Sequence, residues 1–324
     1  MPETILIIVV LAILFDISNG WNDSANAIAT VVSTKVLSPL KAVFLAASMN
    51  ILGAFFSTAV AKTIGEGIVS PENVTNSVVI AALVIAFLWN AVLTRLGMPI
   101  SCSHALIGGL MGSSVAHGGL DILNYGGLQK ILLSLLISPV IGLFFGYLVM
   151  RLLLRFFGNF SPGSLNRKFG KLQLLSAAFM AFSHGSNDAQ KAMGVITLAL
   201  VSSGVLSSLE VPFWVIVVCA SAMGLGTAFG GWRVIRTLGV KILKLEPIHG
   251  FAVETSAAVT IIISSHFGLP VSTTHVITTS IMGVGATKRF SAVRWGLAGK
   301  IIMAWVFTLP LCFVAGWLFA RAFL

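Results

Sequence analysis

Two short polar motifs occur twice each in a chain that is otherwise almost uniformly apolar. Asn22-Asp23-Ser24-Ala25-Asn26-Ala27 returns as Asn187-Asp188-Ala189-Gln190-Lys191-Ala192. Gly97-Met98-Pro99-Ile100-Ser101-Cys102-Ser103-His104 returns as Gly268-Leu269-Pro270-Val271-Ser272-Thr273-Thr274-His275, in the same order and at nearly the same separation. An internal duplication whose shared part is polar, inside a sequence too apolar for water, is the pattern of a secondary transporter with its binding site between two repeats in mid-membrane.

The composition sets the class. With 57% hydrophobic and 9% charged residues and a mean hydropathy of +1.00, the chain cannot cover a globular surface, for which soluble domains use about 25% charged residues. Its long apolar segments do not alternate in ten-residue strands, so the expected fold is an all-α integral membrane bundle and not a β-barrel. The net charge of +10 is distributed over short loops, which makes it a topology signal and argues against a nucleic-acid partner. Cys102, Cys219 and Cys312 lie far apart in apolar runs and give neither a disulfide framework nor a zinc spacing. Met1-Pro2-Glu3 runs straight into apolar sequence without a basic n-region or a small-residue cleavage site, so the first segment is expected to be a retained span.

At about 20 residues per crossing, spans are expected near 4–34, 39–61, 75–94, 99–117 and 128–150, and again near 172–203, 211–230, 248–266, 270–287 and 296–320. The first of each set is long and carries an Asn-Asp motif, which suggests a broken or re-entrant helix there. The fourth of each set is short, and whether it crosses or re-enters stays open. Five segments per repeat invert the second copy. With the N-terminus outside, the inside loops hold Lys35, Lys41, Arg95, Arg151, Arg155, Arg167, Lys168, Lys171, Arg233, Arg236, Lys241, Lys244, Lys288, Arg289 and Arg294, and the outside loops only Lys62, Lys130 and Arg321. That asymmetry predicts both termini outside, a first repeat over 1–155, a cytoplasmic linker over 156–171 and an inverted second repeat over 172–324.

Asp16, Asn19, Asp23 and Asn26 are spaced to share one stripe of a helix, with Asn22 flanking it. Uncompensated carboxylates at that depth cost at least about 2.5–3.5 kcal/mol each on insertion scales. Either Asp23 and Asp188 cap helix ends at a break or pair with an internal lysine, or, with Asn22, Asn26 and Asn187, they coordinate a cation such as Na+. The second copy replaces Asp16, Asn19 and Asn26 by Ala181, His184 and Lys191. Lys191 either neutralises a neighbouring aspartate or, with Gln190, contacts an anion. Asp16 and Glu254, intramembrane acids without a counterpart in the other copy, are candidates for coupling or gating.

In the second motif proline opens a helix whose first-turn N–H groups are free, and the hydroxyls after it add donors. Two such starts, one per repeat, could surround a tetrahedral anion with Ser101, Ser103, Ser272, Thr273 and Thr274. The competing reading is that these hydroxyls bond back to the helix or help helices pack. His104 and His275 lack metal-ligand partners and are expected to be structural.

On these residues the chain closely resembles the inorganic phosphate transporter (PiT, solute carrier 20) family. Its signature stands here as Gly20-Trp21-Asn22-Asp23-Ser24-Ala25-Asn26-Ala27 and Gly185-Ser186-Asn187-Asp188-Ala189-Gln190-Lys191-Ala192. The resemblance covers essentially the whole chain. It implies phosphate uptake coupled to Na+ or H+ across the cell (inner) membrane, with both motif pairs at the ion and phosphate sites, no cofactor, and a homodimer in the bilayer. The expected function is Na+-coupled phosphate symport by alternating access, with H+ coupling, a metal–phosphate cargo or sulfate as variants within the class. An intramembrane hydrolase using Ser101 or Ser103 with His104 and Asp23 is disfavoured by the missing Gly-x-Ser-x-Gly elbow. A channel is disfavoured because the polar residues cluster instead of lining a path.

Overall fold

A computed structural model describes residues 3–323. Met1, Pro2 and Leu324, on which the expected placement of the termini bears, lie outside the described residues. The chain forms α1 (Glu3–Ser33), α2 (Pro39–Ala54), α3 (Ala59–Gly67), α4 (Asn76–Leu96), α5 (Cys102–Gly118) and α6 (Tyr125–Phe157). The second series is α7 (Pro162–Ser202), α8 (Phe213–Phe229), α9 (Trp232–Arg236, continued by a π turn over Thr237–Lys241), α10 (Pro247–His266), α11 (Thr273–Lys288) and α12 (Trp295–Phe323).

The two series repeat each other down to their local signals. α4 ends at Gly97 and α10 turns out at Gly268, both left-handed at φ 74° and 65°, a conformation glycine adopts without strain. Ser101 and Ser272 cap α5 and α11 by accepting from His104 N and His275 N. Pro139 and Pro310 lie inside the continuous helices α6 and α12 at matching positions. The second segment of each series is bent, by 69° between α2 and α3 and by 62° between α8 and α9.

Those bends correct one expectation. The breaks do not fall in the first segment of each repeat: α1 and α7 run unbroken through the Asn-Asp motifs, for 31 and 41 residues. α7 also takes in residues 162–171 of the expected linker, so that only 158–161 separate α6 from α7.

The two repeats interlock, although α7 also packs heavily on α10, and α4 on α5 and α1, within their own repeats. α5 packs chiefly on α12 and α11 on α6, while α1 lies on α8 and α7 on α2. Two apolar clusters result. One gathers Ile5 to Phe15 of α1 with Ala189 to Leu200 of α7, and the other gathers Ala25 to Val31 of α1 with Phe169 to Ala181 of α7. Between them the two helices present Asp16, Ser18, Asn19, Asn22, Asp23 and Ser24 on one side and Ser183, His184, Ser186, Asn187 and Asp188 on the other, all buried. The motifs therefore form a polar band between two apolar layers. Outside, Leu40, Phe44, Leu136, Leu175 and Phe213 are exposed, as a lipid-facing surface requires.

Candidate functional site

Asp23 of α1 and Asp188 of α7 meet at the centre of that band. Asp23 Oδ2, Asp188 Oδ2 and His184 Nε2 converge, with both carboxylates 3.7 Å from the imidazole nitrogen, and ligand atoms of the three residues lie within 4.8 Å of one another. The histidine's tautomer follows from a chain of hydrogen bonds. The Thr227 hydroxyl donates to Met223 O, so its oxygen accepts from Asn50 Nδ2 at 2.8 Å. The Asn50 carbonyl then faces His184 Nδ1 at 3.0 Å and accepts a hydrogen bond from its N–H. In the neutral imidazole this leaves Nε2 as the acceptor facing the two carboxylates. Two carboxylates and an imidazole lone pair around one point are a ligand set for a cation.

The second motif closes the centre from α11. Thr274 donates to Asp23 Oδ1 at 2.9 Å, and the Thr273 hydroxyl lies 3.3 Å from both Asp23 Oδ2 and Asp188 Oδ2. Asn26 supports them, its amide nitrogen reaching Thr273 and Thr274 at 3.3 and 3.0 Å. From the other repeat Ser103 donates to Val271 O, in the segment leading into α11. The starts of α5 and α11 thus face each other, with the His104 and His275 rings 4.8 Å apart.

Asn22 and Asn187 play matching parts. Asn22 Nδ2 donates to Thr94 Oγ1 (2.8 Å) and Met98 O, and Asn187 Nδ2 to Ser265 Oγ (3.0 Å) and Leu269 O, which pins each first motif to the second motif of its own repeat. The side-chain carbonyls of Asn22, Asn26 and Asn187 are buried without partners among the described residues. Buried polar atoms are rarely left so, and each of these is an acceptor adjoining the carboxylates.

Three expected ligands are committed elsewhere. Ser101 and Ser272 hold the cap bonds of their helices, and Ser101 also engages His104 Nδ1 at 2.6 Å. Gln190, expected at the anion, instead accepts Val60 N and Ala61 N at 2.7 and 3.1 Å and so caps α3 at the first bend. Its counterpart at the second bend is Ser24, which accepts Gly231 N at 2.7 Å. Lys191 places Nζ 2.8 Å from Asp188 Oδ1, the aspartate-neutralising arrangement.

Asp16 and Glu254 are not brought to the carboxylate centre. Asp16 sits two turns back along α1, fully buried beside Asn19 and without a hydrogen-bond partner among the described residues. Glu254 is held between helices by Thr30, Gln173 and Ser176. The sequence reading missed Asn50, Thr227, Thr94 and Ser265. The last two occupy equivalent places three residues before the Gly-x-Pro of each repeat, so aligning the repeats beyond the motifs would have found them.

The phosphate transporter family model matches residues 19–316. The chain belongs to the phosphate transporter family. Among relatives in this family, a probable low-affinity inorganic phosphate transporter of Bacillus subtilis is 44% identical over 96% of this chain and 94% of its own length. One of the same description from Rhizobium meliloti is 47% identical over 94% and 91%. The solved structure of a sodium-dependent phosphate transporter superposes with a TM-score of 0.91 at 25% identity, covering 99% of this chain and 98% of that one. The family is one of transporters, which sets the hydrolase reading aside.

Proposed function

We propose that the chain imports inorganic phosphate by symport with Na+, by alternating access between two membrane repeats, 1–155 and 172–324, joined through 156–171. The observation that carries this reading is the convergence of both Asn-Asp motifs and the α11 hydroxyls on one buried point. Every side chain there, from Asn22 to Thr274, is at most 2% exposed. Asp23 and Asp188 bring two negative charges and Lys191 one positive charge, so a monovalent cation completes the balance. Coupling then follows from the hydroxyl protons. A hydroxyl has one proton to donate, and Thr273 and Thr274 now direct theirs at carboxylates. Na+ at the carboxylates replaces those bonds and releases both hydroxyls, with the free first-turn N–H groups of α5 and α11, to phosphate. Each ion then raises the affinity for the other.

Access is proposed at the two bends. A cavity of about 500 Å³ lined by Trp21, Thr94, Arg95, Gly230, Gly231, Trp232 and Arg233 adjoins one, and a cavity of about 670 Å³ including Ser57, Thr58, Lys62, Glu66 and Glu210 adjoins the other. The basic-residue asymmetry puts the first inside the cell and the second, with both termini, outside. Ser24 and Gln190, neighbours of Asp23 and Asp188, hold the bends shut, which links each route to the ion centre; Asp16 and Glu254 are assigned to coupling. The homodimer belongs to the same proposal.

One observation favours a metal–phosphate complex as an alternative cargo: an imidazole nitrogen in the ligand set suits transition metals better than Na+. Uptake of labelled phosphate into proteoliposomes tests both. An inward Na+ gradient should drive accumulation that survives metal chelators and excess sulfate. Accumulation driven by a proton gradient alone would overturn Na+ coupling, and loss on chelation would install the metal complex.

A further inference from the structure

The two carboxylates at the centre are related by the repeat but are not treated alike. Three residues beyond Asp23 stands Asn26, and three residues beyond Asp188 stands Lys191. Asn26 turns its amide N–H groups to Thr273 and Thr274 and keeps its carbonyl free. Lys191 sets an ammonium 2.8 Å from Asp188 Oδ1, with both side chains at most 1% exposed. Among the described residues no lysine or arginine lies within ion-pair distance of Asp23.

We propose that Lys191 is a tethered cation: its ammonium fills at Asp188 the position that a transported Na+ fills at Asp23. The inference rests on the reading of this centre as a cation site and adds a determinant of how many ions move. An ammonium on a lysine stem is a compact monovalent charge, able to compensate a carboxylate in low dielectric as Na+ does. Unlike Na+, it is anchored to α7 and is never released. The duplicated site therefore carries one cation fewer per phosphate than its two carboxylates would hold, and the concentrating power of the cycle is smaller by one factor of the Na+ gradient.

Lys191→Asn restores at Asp188 the residue type that accompanies Asp23, and the test compares it with the parent in proteoliposomes clamped at zero membrane potential. Under a tenfold Na+ gradient, the steady-state phosphate ratio of K191N should exceed the parent's by about tenfold, the contribution of one more coupled ion. In detergent, NaCl at constant ionic strength should raise the melting temperature of K191N more than that of the parent, which decides the matter even if the variant transports slowly. A parent indifferent to Na+ beside a K191N protein that responds to it would sink Na+ symport for this chain while sustaining the tethered cation. Equal Na+ dependence of the two proteins would overturn the tethered cation and leave symport standing. So would a K191N protein that stays unstable in saturating Na+, because Na+ should then replace the missing ammonium.

Discussion

Asp23→Asn should give a protein that inserts, purifies and melts like the parent but needs roughly 10- to 100-fold more Na+ for half-maximal phosphate uptake. The amide preserves the shape of the carboxylate and can still accept from Thr274, now 2.9 Å from Asp23 Oδ1. What is lost is the charge, and a charge-assisted contact is worth about 1.5–3 kcal/mol. Asp188→Asn should behave differently despite the symmetry of the repeats. Its carboxylate faces Lys191 at 2.8 Å, so the substitution strands a buried ammonium at a cost of about 2.5–3.5 kcal/mol on insertion scales. D188N should therefore be poorly stable, and D188N/K191M, which removes both charges, should regain the melting temperature without regaining transport. Melting curves and Na+ titrations of the three proteins check this. If D188N proved as stable as D23N, the ion pair would not be what compensates Asp188.

Gly185→Ala and Gly20→Ala should both cost the protein its stability and its transport, through the same device used twice. A Cβ on Gly20 would stand 2.5 Å from Met223 O and 2.9 Å from Thr227 N, pushing α8 away from α1. On Gly185 it would overlap Asn50 O, pushing α2 away from α7. Small residues let membrane helices approach this closely because packing and hydrogen bonding, and not the hydrophobic effect, hold them together. Overpacking a tight contact costs about 1–3 kcal/mol, and here the displaced residues are Thr227 and Asn50, which fix the proton on His184 Nδ1. Gly163→Ala and Gly299→Ala, where a Cβ meets nothing within 4 Å, should melt with the parent. Equal melting temperatures for G185A and G163A would show that α2 and α7 do not need their close approach.

The features that could be read from the residues are those carried by local chemistry repeated at matching places. The doubled motifs and the buried stripe on α1 recur in the structure, whereas the helices of the second motif are opened by Ser101 and Ser272, two residues after the prolines expected to open them. What could not be read depends on pairing between repeats. The length and polarity of the first segments pointed to breaks within them, yet α1 and α7 stay continuous because Thr273, Thr274, Asn50, Thr94 and Ser265 answer their polar side chains from other helices. The bend between α2 and α3 falls at 55–58, Phe-Phe-Ser-Thr, which contains neither glycine nor proline. It is fixed by Gln190, more than a hundred residues away, and only the Gly230-Gly231 pair at the second bend was a visible signal. Gln190 was assigned to an anion because it sits in the motif, and nothing in the motif announces the helix start it caps. His184 was visible as a replacement on the stripe, but its role as an acceptor depends on Asn50 and Thr227, which come from opposite halves.

The claim that both motif pairs form one coupled centre is tested most directly by binding in detergent, with no membrane gradient. Phosphate affinity is measured by calorimetry at low and saturating NaCl, with choline holding the ionic strength, and Na+ affinity is then measured with and without phosphate. If Na+ at the carboxylates releases the Thr273 and Thr274 hydroxyls to the anion, each ion should tighten the other by the same factor, about 5- to 150-fold for coupling of this kind. Thr274→Val should shrink that factor from both directions. Phosphate affinity that does not change with Na+, in a protein that binds both, would contradict the shared site.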